Sequence, residues 1–178
     1  MEWSEIRLED RARRAYEGGR FGWALRRGLA VPVVASAALV GCEQVAATVA
    51  CIGLLALAVV GCLWRGGSYA VGVRPGLLAG MAPFALPVAA HATGHACSAT
   101  LCLFLPTFCI AGGVVGGVVL GAQGHRLVEG PLGFWISAVV VAALAGSVGC
   151  MVAGLAGLTG MALGLVLGAA PVLAVRAA

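Results

Sequence analysis

The chain has 178 residues, 61% of them hydrophobic and 10% charged, with a net charge of +4 from eleven Arg and seven acids. A soluble domain needs a charged outer surface, and this chain has no means of covering one. The modest charge also excludes a nucleic-acid-binding face, which needs many phosphate contacts.

The charges are unevenly placed. Seven Arg and five acids fall within residues 1–27, and four Arg with two Glu serve the remaining 151 residues. The chain therefore reads as an all-α, polytopic integral membrane protein. Residues 1–22 are expected to form a cytoplasmic amphipathic helix, and residues 23–178 a bundle of six transmembrane helices in three hairpins. A span takes about 20 apolar residues, so six spans leave no room for a soluble enzyme domain. The charged start is unlike a cleavable signal peptide, whose apolar core follows a few basic residues.

In residues 1–22, Leu8, Ala12, Ala15 and Tyr16 share one face at helical spacing, with Arg and acids opposite. Gly18, Gly19 and Gly22 should weaken the helix near its end. The stripe suits either a membrane-surface helix or a helix that docks a cytoplasmic protein partner.

The first span is expected over residues 23–41 and the second over 45–64, joined by a turn at Cys42. A loop is expected at residues 65–75. The third span covers about 76–92, bent by Pro83 and Pro87. The fourth covers about 105–121, and a loop with His125, Arg126 and Glu129 follows. The fifth (132–149) and sixth (152–171) are separated by a short turn around Cys150. Arg occurs at both termini and in alternate connections only. The positive-inside rule then places both termini in the cytoplasm of what is expected to be a bacterial inner-membrane protein, and the absence of Lys and Asn suits a GC-rich bacterial genome.

Small residues let helices approach in lipid. Gly112 and Gly116 on the fourth span, and Gly160, Gly164 and Gly168 on the sixth, form small-xxx-small rows. They are expected to serve packing within the bundle or the seam of a homo-oligomer. Leu165 is expected to face lipid.

No charged residue falls near the middle of a span, which disfavours proton-coupled transport. No nucleophile motif, phosphate loop or carboxylate pair is present, so no enzyme activity is expected. The seven Cys are the remaining chemistry. His91, His95, Cys97 and Cys102 offer two imidazoles and two thiols within twelve residues, a donor set suited to zinc or a softer metal. In an oxidising compartment Cys97–Cys102 or Cys42–Cys150 are candidate disulfides. The third reading of these cysteines is small apolar filler. Cys42, Cys97, Cys102 and Cys150 are all expected at the outer face.

The layout is similar to the NrsF-like membrane anti-sigma factors. The resemblance covers the general layout of the whole chain and, locally, HACSATLCLFLP entering the fourth span and GCMVAGLAGLTGMALGLVLGAAP over the last hairpin. It implies a membrane regulator whose N-terminal segment holds an extracytoplasmic-function sigma factor. It also implies that outer cysteines, here Cys97 and Cys102, respond to metal or oxidant. A small metal-ion carrier or channel and a structural membrane subunit are the rival readings. Apart from membrane lipids, the sigma factor is the one partner the resemblance supplies.

Overall fold

A computed structural model describes residues 2–36, 39, 45–92, 105–124, 132–150 and 154–177. Six helices account for nearly all of them: α1 Glu2–Ala35, α2 Val45–Arg65, α3 Gly67–Ala92, α4 Leu105–Gly124, α5 Leu132–Cys150 and α6 Gly154–Ala177. Among the described residues there is no strand. Three helices or helical stretches are long and apolar enough to cross a membrane: Val45–Arg65, Thr107–Gly124 and Leu132–Cys150. A shorter apolar stretch, Gly157–Val172, lies in α6. Large apolar side chains such as Leu57, Val115, Ile136 and Leu167 stand exposed on the bundle surface. That is tolerable only where the surrounding solvent is itself apolar.

Two expectations about local structure are corrected. Residues 1–22 and the segment after them do not form separate helices. α1 runs unbroken for 34 residues through Gly18, Gly19 and Gly22, with Pro32 also inside it. Each Gly costs a helix only about 1 kcal/mol, which lowers stability without dictating a break. The loop expected at 65–75 is also absent, because α3 starts at Gly67. The chain reverses at Gly66 and Gly67, whose φ angles are 70° and 55°, a left-handed conformation that only glycine adopts cheaply. Gly66 N–H still donates to the Cys62 carbonyl at 3.0 Å, closing the end of α2. The Arg20 guanidinium fills the space beside Gly66 and donates to the Trp64 carbonyl at 2.5 Å.

The core is built on glycine. Gly72, Gly76 and Gly80 press α3 onto α5 at Phe134, Ala138 and Ala142. Gly112 and Gly116 press α4 onto Pro83 and Ala79 of α3. Gly113, Gly117 and Gly121 turn the adjacent face of α4 to α6. A four-helix body of α3, α4, α5 and α6 results. The α1–α2 hairpin rests on it chiefly through α2, which meets α5 and α3. Its own seam is tight at one point, where Gly28 lies against Val60.

Candidate functional site

Inside that body two thiols meet. Cys109 is the fifth residue of α4 and Cys150 the last of α5. α4 and α5 are consecutive and antiparallel, so the start of one and the end of the other share an end of the bundle. Both side chains are 0% exposed, and their sulfurs are 2.9 Å apart. The Cys150 thiol also lies 3.8 Å from the carbonyl oxygen of Pro83 on α3. That oxygen is released from the helix ladder because position 87, four residues on, is proline and has no N–H to donate. Met161 of α6 completes the cluster, with Leu158 and Leu165 packed against it. The Met161 sulfur lies beside Gly146, where any side chain would overlap it.

The arrangement is a dry dithiol held by four helices. Joining the sulfurs at about 2.05 Å requires them to close by about 0.85 Å. No bond joins the two sulfurs. Chemically the pair can lose two protons and two electrons to become a disulfide that staples α4 to α5. Among the described residues no group of three or more His, Cys, Asp or Glu is placed to hold a metal.

A short turn is expected around Cys150, with Cys42–Cys150 as one candidate disulfide. Cys150 instead closes α5, because the helix continues to that residue, and there it is fully buried beside Cys109. The signal available in the sequence was the helical register: both cysteines fall near one end of adjacent antiparallel helices. Cys42, His95, Cys97 and Cys102 lie outside the described residues, as do His125, Arg126 and Glu129. His91 lies in α3, with its side chain outside the described ones. Cys51 and Cys62 are half-buried and pack against apolar neighbours.

On α1, Ala12, Ala15 and Tyr16 are exposed, Tyr16 at 66%. The side chain of Leu8 is outside the described ones. Arg20 stands over the Tyr16 ring at 5.8 Å, and Arg13 donates to Glu17 at 3.0 Å. Nothing else in the described chain covers the stripe.

The glycine rows pack inside the bundle. A Cβ at Gly112 would come within 2.6 Å of the Pro83 backbone, and one at Gly116 would overlap the Ala79 carbonyl. Gly160, Gly164 and Gly168 are buried, and Gly164 and Gly168 lie directly on the backbone of α4 at Ile110 and Val114. Leu165, expected to face lipid, is half-buried and packs against two core clusters. The close glycine contact pulls α6 so near to α4 that the flanking Leu165 is drawn into the seam, where its side chain reaches Gly116.

No family model, no curated protein and no solved structure matches this chain. Fold and site together define a class: an all-helical protein with helices of membrane-spanning length and composition, enclosing a buried dithiol.

Proposed function

We propose that the chain is a polytopic regulator of the bacterial inner membrane, anti-sigma-like in kind. In this reading α1 holds a cytoplasmic partner, such as an extracytoplasmic-function sigma factor, and thiol oxidation or metal binding alters the bundle. The six helices form six spans in three hairpins, with both termini cytoplasmic.

The observation that carries this reading is the length and two-part character of α1. Thirty-four residues extend about 51 Å, against a hydrocarbon core of about 30 Å. Its charged first part therefore has to project, and Ala12, Ala15 and Tyr16 there are uncovered. Five acids among seven Arg in residues 1–27 weaken attraction to an anionic bilayer surface, which supports a protein partner. The dithiol provides the trigger. Two thiols and hydrogen peroxide give one disulfide and two waters, and the new bond fixes α4 against α5. This biases any equilibrium between packings that differ at that seam. His91, His95, Cys97 and Cys102 take the metal-responsive part of the proposal, with zinc as the simplest ion.

A metal-ion carrier would need a polar path inward from Cys109. Its described surroundings are Cys150, Met161, Leu158 and Leu165, which favours regulation over transport. The test is capture of sigma subunits by the full-length chain in bilayer discs, before and after peroxide. The expected result is capture by the reduced protein, released by peroxide, with release lost in Cys109→Ser. Binding of the charged segment to anionic vesicles with no sigma subunit captured would overturn the reading.

A further inference from the structure

A cavity of about 850 Å³ separates the α1–α2 hairpin from the four-helix body. α1 contributes its wall from Trp23 to Ala35, and α3 from Ala70 to Phe84. At 1.5 Å per residue these walls run about 18 and 21 Å. One leaflet of hydrocarbon is about 15 Å deep, so the cavity has the depth of a single leaflet. Its floor is the buried Leu55, Val59 and Val148, and its rim includes the exposed Val34, Val71 and Met81. The opening therefore faces sideways, through apolar side chains.

The lining has two charges, Arg27 and Arg74. Both belong to the end marked by Trp23, an interfacial type of residue. Arg27 is held there by stacking on the Trp23 ring at 4.3 Å. Neither arginine has a carboxylate partner among the described residues; the one described carboxylate, Glu17, is bonded to Arg13. Two exposed guanidiniums at the mouth of an apolar slot, with no carboxylate beside them among the described residues, suit an anion there and hydrocarbon below.

Charge decides between the possible occupants. An apolar helix laid in the slot would leave the two arginines unanswered. We infer that the cavity is a binding site for an anionic phospholipid, with its phosphate between Arg27 and Arg74 and an acyl chain along Val59 toward Phe84. This inference is independent of the regulatory reading, because it uses neither the charged segment of α1 nor the dithiol.

The test uses the full chain reconstituted in bilayers of equal phosphatidylglycerol and phosphatidylcholine, then extracted and weighed by native mass spectrometry. The expected result is one retained phosphatidylglycerol per chain. Arg27→Gln with Arg74→Gln should cut its retention at least tenfold, with the elution volume and helix content unchanged. Ala30→Trp, which fills the cavity from α1, should remove the lipid while keeping both charges. Arg11→Gln with Arg14→Gln, far from the cavity, should change nothing. Equal retention of the two lipids by the unaltered chain would overturn the inference. So would undiminished phosphatidylglycerol in the double variant, or a mass showing a second copy of the chain in place of the lipid.

Discussion

Gly113 and Gly164 face each other so closely that a Cβ on either would stand 3.0 Å from the other's Cα. The contact is reciprocal, and neither helix can turn a larger residue to the other without separating. In lipid this backbone approach supplies the association that water would otherwise drive.

Gly164→Leu should accordingly wedge α6 from α4, at a cost of about 2 kcal/mol or more. The comparison is Leu163→Ala, at a neighbouring position that is largely exposed. Thermal unfolding in detergent should fall markedly for the first and little for the second. Equal tolerance would mean that the glycine contact contributes nothing to assembly.

Peroxide treatment of the purified protein should yield a Cys109–Cys150 disulfide, found by differential alkylation and peptide mass analysis. Their sulfurs are already adjacent, and Cys51 and Cys62 lie apart in other clusters. Recovery of Cys150 joined to Cys42, or of both thiols still free, would contradict the placement.

Tyr16→Asp should abolish capture of a sigma subunit at least tenfold while leaving the helices inserted. The side chain is exposed, so the change places a charge in the proposed docking stripe without disturbing packing. If capture survives, the stripe is not the contact surface.

Reporter fusions at Cys42, Ser98 and Cys150 should read outside, and those at Ser68 and His125 inside. The expectation follows from Arg in alternate connections. A single inverted site would break the six-span arrangement.

The helical, apolar character of the chain was legible because apolar composition over span-length stretches is a local property. Glycine spacing likewise displays a row, but not which helix lies opposite. Gly112 and Gly113 are neighbours in sequence and face α3 and α6 respectively. The loop expected after Arg65 failed because glycine and serine there looked like a long connection. A reversal at Gly66–Gly67 needs only two positive φ angles, and Ser68 and Tyr69 join the next helix. Cys109 and Cys150 are 41 positions apart, and their distance is fixed by the packing of α3 and α6 against their helices. The cavity was illegible for the same reason: Arg27 and Arg74 line it from two helices that touch little.

The continuity of α1 makes it a rigid arm. Its residues 2–20 amount to about 27 Å beyond the point where Arg20 grips the end of α2 at Trp64 and Gly66. A tilt of about 5° at that clasp would sweep the tip through roughly 2.4 Å, a little under half a helical turn. Small repacking among apolar side chains thus becomes a displacement large enough to misalign the contact surface proposed for α1, with no unfolding and no hinge. Gly18 and Gly19 within the arm set its stiffness. Replacing them with alanine would lengthen the lifetime of the straight form and sharpen whatever motion the arm transmits.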